Sequence, residues 1–272
     1  MLSEEQRKRL RWDTPDPALT ALEKRFLKDS FDGLPYRAFI PAAGSPHERR
    51  TPLVVYLHGA DDKGTDNVQH LTNHHSGCVF AEEGQQEKRP CYILAPQCPE
   101  ARAWRQPPMK EALFALIRAF VQEHTDIDDG RIYLYGSSMG AIGGMALVKD
   151  APDFFAGALF ICGATKKEGA EALLRTPAWF FHAEDDAIVP AGKGGDGSFL
   201  GSIALFAYLK ELDAERAAGE SESIGGDDAR LRLTTYSAGE IEEAYGINPH
   251  CAWVPALAGE EAKAWLFSNR RQ

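Results

Sequence analysis

The most constraining stretch of the chain is Arg131-Ile132-Tyr133-Leu134-Tyr135-Gly136-Ser137-Ser138-Met139-Gly140-Ala141-Ile142-Gly143-Gly144. It starts as a short apolar, β-favouring run, turns through Gly-x-Ser-x-Gly and continues in a helical pattern over 139–149. A strand that passes into a helix within a few residues must bend sharply. The residue at the apex is strained, and a Cβ two residues to either side would strike the neighbouring strand or helix. Ser138 has glycine at both of those positions, so it is the apex and Ser137 is a spacer. The bare pattern is weak. With 25 glycines and twelve serines in 272 residues, about 0.1 such matches arise by chance. Its meaning depends on the rest of the chain.

Other apolar runs recur at intervals. Residues 27–31 and 34–40 flank Asp32-Gly33 and read as an antiparallel hairpin at a sheet edge. Leu53-Val54-Val55-Tyr56-Leu57 and Tyr92-Ile93-Leu94-Ala95 are continuous enough for strands buried on both faces. Residues 132–135, 158–162, 178–182 and 231–236 supply further strands. Between them, 67–73, 109–124, 139–149, 199–212 and 260–269 read as helices. Alternating strands and helices predict an α/β fold, a mostly parallel sheet covered on both faces. We expect an arm over 1–20, one domain over 21–272 and a flexible acidic, Gly/Ser-rich loop over 217–229.

Bulk properties exclude several classes. The net charge of −10 opposes nucleic-acid binding and attraction to anionic membranes. No apolar run is long enough to span a bilayer, and residues 1–10 lack the apolar core of a signal peptide. Cys78, Cys91, Cys98, Cys162 and Cys251 are odd in number and lack metal-ligand spacing. A cytoplasmic protein with free thiols is therefore expected.

In open α/β sheets the chemistry collects at the carboxyl ends of strands. There the chain carries Ser138, then an acidic cluster of Glu184, Asp185 and Asp186, then His250. Successive spacings of 48 and 64 residues, taken to Asp186, each leave room for one helix and one strand. A serine hydroxyl needs a base to become a nucleophile, and the base needs a carboxylate to fix its tautomer. A nascent oxyanion needs two fixed donors. The Met139 N–H, opening a helix, and the Ala60 N–H, in the turn His58-Gly59-Ala60, are the candidates.

These segments resemble one family. Tyr56-Leu57-His58-Gly59-Ala60-Asp61-Asp62-Lys63-Gly64-Thr65-Asp66-Asn67, Ala95-Pro96-Gln97-Cys98-Pro99 with Trp104, and Tyr135-Gly136-Ser137-Ser138-Met139-Gly140 are similar in order and spacing to α/β-hydrolase-fold esterases related to feruloyl and acetylxylan esterases and predicted peptidases. So are His182-x-x-x-Asp186-x-x-Val189-Pro190 and His250-x-x-Trp253. The likeness spans about residues 34–268. It departs at Asp61, Ala141 and Ala183, where glycine is usual. The family implies a cofactor-free Ser-His-Asp hydrolase of carboxylic esters. That carries to Ser138, Asp186 and His250, in the order Ser, Asp, His. The fourth place after His182 and the Val189-Pro190 ending favour Asp186 over its acidic neighbours.

Plainer readings compete at several positions. His58 reads as structural, bonding within its own loop. His70, His74 and His75 have spacing that could grip a metal, but no third well-spaced ligand follows, so a solvent-facing helix and no metal site are expected. Cys98 and Cys251 read as small buried thiols. Trp104 and Trp253 could form a stacking wall for a sugar or aromatic acyl group, or cap the core. The expected partner is a small-molecule ester, possibly an acylated sugar. A peptidase or lysophospholipase on the same fold, and a non-catalytic binding protein, are the other readings.

Overall fold

The computed structural model describes residues 21–42, 50–73, 75–195, 197–219 and 230–271. The expected arm over 1–20 and most of the expected loop over 217–229 lie outside them.

The strands are β1 (Leu27–Phe31), β2 (Leu34–Phe39), β3 (Thr51–Leu57), β4 (Tyr92–Pro96), β5 (Ile127–Ser137), β6 (Gly157–Ile161), β7 (Ala164–Lys166), β8 (Ala178–Ala183), β9 (Phe199–Gly201) and β10 (Leu231–Tyr236). Eight form one sheet in the order β1-β2-β4-β3-β5-β6-β8-β10. From β4 to β10 every neighbouring pair is parallel. β2 runs antiparallel to β4 and to β1, which places the hairpin at the edge as predicted. β7 and β9 form a separate antiparallel pair.

The helices are α1 (Gln69–Thr72), α2 (Glu83–Lys88), α3 (Pro107–Glu123), α4 (Met139–Asp150), α5 (Ser202–Gly219), α6 (Glu240–Tyr245), α7 (Trp253–Ala258) and α8 (Glu261–Ser268). Pleating divides the central strands between two cores. Leu53, Val55 and Leu57 face α3, α4 and α5, with Leu113, Leu116, Met145, Leu205 and Leu209 opposite. Val54 and Tyr56 face the other way, with Tyr133, Tyr135, Leu159 and Phe181, against α7, α8 and the 3₁₀ segment His75–Ala81. All seven residues of β3 are buried. Each fully buried Leu, Ile or Val contributes about 1.5–3 kcal/mol relative to exposure, so this double-sided burial anchors the sheet.

Three expectations need correction. The stretch 199–212 is not one helix: 199–201 form β9 against β7, and the helix begins at Ser202. Residues 217–219 continue α5 rather than opening a loop. The serine-bearing strand begins at Ile127, because Asp128 is held by Arg131 and Arg270 and its polar residues need no solvent-exposed loop.

Candidate active site

β5 ends at Ser137, α4 begins at Met139, and Ser138 alone joins them with φ 52° and ψ −119°. This is the strained conformation that the sequence predicts at the apex. The flanking glycines have separate causes. A Cβ on Gly136 would lie 2.6 Å from the carbonyl carbon of Gly140, and one on Gly140 would lie 1.8 Å from the Leu57 oxygen of β3. The first keeps the helix against its own strand; the second lets α4 cross the adjacent strand. The Ser138 N–H donates to the Ile161 carbonyl at the end of β6 (2.9 Å), which ties the bend to the sheet.

Asp186 stands three residues beyond β8. His250 precedes α7, where its backbone N–H donates to Asn248 Oδ1 at 2.8 Å. The structure brings both to Ser138. His250 Nδ1 lies 2.7 Å from Asp186 Oδ2, and His250 Nε2 lies 2.9 Å from Ser138 Oγ. A carboxylate only accepts, so Nδ1 carries the proton and Nε2 offers its lone pair to the serine hydroxyl. Asp186 Oδ1 accepts from the Ile188 and Val189 N–H groups at 2.9 and 3.0 Å. Burial alone would raise the Asp186 pKa. The hydrogen bonds from His182 and His250, the attraction of His250 in its imidazolium form and the Val189 amide outweigh it, holding the group well below the usual carboxylate range. Its neighbours differ: Glu184 and Asp185 are exposed, and Asp185 Oδ2 accepts from the Gly239 N–H on the far side of the turn.

Sequence reasoning used His182 only as a marker for Asp186 and missed its role. His182 is fully buried at the end of β8, and its Nε2–H is shared between the Val189 carbonyl (2.8 Å) and Asp186 Oδ2 (3.1 Å). Its Nδ1 has no hydrogen-bond partner among the described residues. The spacing His182-x-x-x-Asp186, already used to place Asp186, also carried the signal for this role.

The turn after β3 carries the other expected donor. Residues Ala60–Asp62 form a 3₁₀ turn, so the Ala60 N–H has no acceptor within it, as the Met139 N–H has none at the start of α4. His58 bonds within its loop, as expected. Its Nε2 accepts from the Cys98 N–H at 2.9 Å, so Nδ1 carries the proton and donates to the Gly59 carbonyl at 2.6 Å. The Gly59–Ala60 peptide is trans. Fixing its C=O on one side directs the Ala60 N–H to the other. Gly59 itself packs on the elbow, where an added Cβ would stand 3.8 Å from Ser138 Cβ. Buried Gln97 steadies the remainder of the loop. Its amide nitrogen donates to the Asp62 carbonyl and to Asp66 Oδ1, and its oxygen accepts from the Asn67 N–H. Asn67 in turn donates to the carbonyls of Asp29 and Tyr36, joining the loop to the edge hairpin. The Asp66-Asn67 and Gln97 matches are thus explained by loop anchoring.

Of the two readings open for the tryptophans, both residues take the core-capping one rather than forming a stacking wall. Trp104 has no exposed surface. Its indole N–H donates to the His58 carbonyl at 3.1 Å, and its ring stands edge-on to His58. Gly143 of α4 admits it, since a Cβ there would lie 2.1 Å from Trp104 Cβ. Trp253 is also buried, perpendicular to the His250 ring at 5.9 Å, and packs behind the base. His70 is not solvent-facing either. It is buried, its Nε2 lies 3.0 Å from the Ala95 carbonyl, and burial draws its pKa down to about 3. His74 lies outside the described residues. Cys98 and Cys251 are buried, and burial pushes both thiols up to about 12.

The strand order, the antiparallel second strand and the serine at a strained strand-to-helix turn define the α/β-hydrolase fold, and this chain has it. It is similar to a thermostable esterase of known structure, with 33% identity and a TM-score of 0.76. The likeness covers 92% of this chain and 64% of that one, so the chain spans just under two thirds of the esterase's length. It also resembles the acylaminoacyl peptidase of Pyrococcus horikoshii (14% identity, TM-score 0.56, 96% of this chain and 43% of that one). Acetyl xylan esterase from Aspergillus awamori is similar at 9% identity and a TM-score of 0.56, covering 88% of this chain and 99% of that one. No protein-family model and no curated protein matches the sequence. Among the described residues no helix is long and apolar enough to cross a membrane.

Proposed function

We propose that the protein is a serine hydrolase of carboxylic esters, working through an acyl-enzyme on Ser138. The observation that carries this reading is the continuous hydrogen-bonded path from Ser138 Oγ through His250 to Asp186. Similarity to an esterase at 33% identity supports it. Ser138 Oγ attacks the ester carbonyl carbon while His250 Nε2 takes its proton. Asp186 holds the Nδ1–H tautomer and stabilises the imidazolium. The carbonyl oxygen, now negative, is bound by the Met139 and Ala60 N–H groups, each such donor contributing about 3 kcal/mol to the transition state. His250 returns the proton to the departing alkoxide. Water then attacks the acyl-serine with His250 again as base, releasing the acid and restoring Ser138.

The expected substrate is a small ester, with acylated sugars one class to be tried. The test is a panel of p-nitrophenyl acyl esters, sugar acetates, feruloyl esters and peptide amides, run with wild type and Ser138→Ala. Hydrolysis of one ester class by the wild type, falling about 10⁶-fold in the variant, is expected. Loss of fluorophosphonate labelling should accompany it. Undiminished turnover by Ser138→Ala would overturn the assignment, and preference for the amides would make the protein a peptidase.

A further inference from the structure

The opposite end of the sheet carries a feature that hydrolysis does not use. A cleft of about 830 Å³ opens at the amino ends of β5, β6, β8 and β10; among the described residues it is lined by Arg175, Arg230, Arg270 and Arg271, with Asp129 and Asp153 as the carboxylates. In a chain of net charge −10, this concave surface has a positive excess. Gly130 at its edge lies on β5, and Ser138 follows eight residues later just past the end of that strand, about 26 Å away at 3.3 Å per residue.

The arginines divide into two kinds. Two are ion-paired: Arg270 grips Asp128, which it shares with Arg131, through two bonds of 2.8 and 3.2 Å, and Arg175 pairs with Asp153. The other two are held by neutral oxygens. Arg230 Nη2 donates to the Arg175 carbonyl at 2.8 Å. Arg271 donates to the carbonyls of Asp153 and Asp129 at 3.1 and 2.6 Å. A backbone carbonyl orients a guanidinium without cancelling its charge. Both residues line the cleft with their guanidiniums oriented by these carbonyls, and each has further N–H groups beyond the bonds made among the described residues. The two approach from different segments, one before β10 and one after α8. A planar carboxylate fills a single fork, whereas a chain of tetrahedral phosphates presents acceptors to both. The volume is that of a small-ligand site.

We propose that this cleft binds a small oligophosphate, as a free phosphate chain or as the phosphate tail of a nucleotide, at a site separate from Ser138. Calorimetric titration at fixed ionic strength, without divalent metal, tests it with inorganic pyrophosphate, ATP and citrate. Saturable 1:1 binding of pyrophosphate or ATP is expected. Tighter binding of ATP identifies the nucleotide, and equal binding identifies the bare phosphate chain. Arg230→Gln, which leaves the Arg271 tether intact, should weaken binding at least about threefold. Arg230→Gln with Arg271→Gln should weaken it about tenfold or more. Arg216→Gln, on the exposed side of α5, should change nothing, and ester hydrolysis should persist in all three. Absence of saturable binding, citrate binding as tight as pyrophosphate, or indifference to both cleft substitutions would overturn the proposal. The arginines would then serve only to tie the chain segments together.

Discussion

Asp186 Oδ2 receives hydrogen bonds from two imidazoles with different duties. His250 reaches the serine; His182 reaches only the carboxylate and the Val189 carbonyl. A hydrogen bond to a charged group contributes about 1.5–3 kcal/mol. His182→Leu should therefore lower kcat about 10- to 100-fold with little change in KM, and steady-state kinetics that match the wild type would show that His182 is mere packing. Asp62, in the turn that carries Ala60, makes a pH prediction. Burial, with the nearby Asp61 and Asp66 adding to it and the Asn73 bond opposing it, raises its pKa from 3.8 to about 7. The folded state keeps this proton to near neutral pH, whereas the unfolded chain releases it near pH 4. Stability from this group is thus complete below about pH 4 and lost as pH rises through about 7, by at most about 4 kcal/mol. Asp62→Asn should gain on the wild type in unfolding free energy between pH 5 and pH 8, and a constant difference would refute the shift. At this scale Ser138, Asp186 and His250 were legible because order, spacing and strand ends locate them. Trp104 was not, because sequence alone does not reveal that the glycine accommodating its Cβ lies 39 positions away on α4.

At the scale of elements, the elbow depends on helix and strand backbones approaching more closely than side chains permit. Gly140→Ala would set a methyl 1.8 Å from the Leu57 oxygen, forcing α4 off β3. Denaturant unfolding should show a loss of about 3 kcal/mol or more, at the upper end of overpacking costs; a loss below about 1 kcal/mol would mean that the approach is softer than the geometry indicates. Elements buried on both faces, such as β3 and β4, read clearly as continuous apolar runs. β7 and β9 did not. Each is three residues long, too short for alternation to register, and they exist only because they pair with each other. α6 and α7 were passed over for the same reason, at six residues each. The start of β5 was hidden by Asp128, Asp129 and Arg131, whose charges are met by ion pairs that involve distant arginines.

For the whole molecule, the alternation of strands and helices was enough to give a parallel sheet with an edge hairpin, since connection rules leave few other arrangements. The stability of that sheet is uneven. β1 is exposed along nearly its whole length, while β3 and the second half of β5 are buried. Native-state hydrogen exchange should show β1 amides opening well before those of β3 and β5, and equal protection would indicate a single cooperative unit. The path from Ser138 to His250 joins positions 112 residues apart in the chain. At a synthesis rate of about 5–20 residues per second, roughly 6 to 22 s pass on the ribosome between the making of Ser138 and the making of the histidine proposed as its base. Through that interval the nascent chain holds an unactivated alcohol. On the proposed reading, hydrolytic power must wait until His250 has been made and its segment has docked beside Asp186.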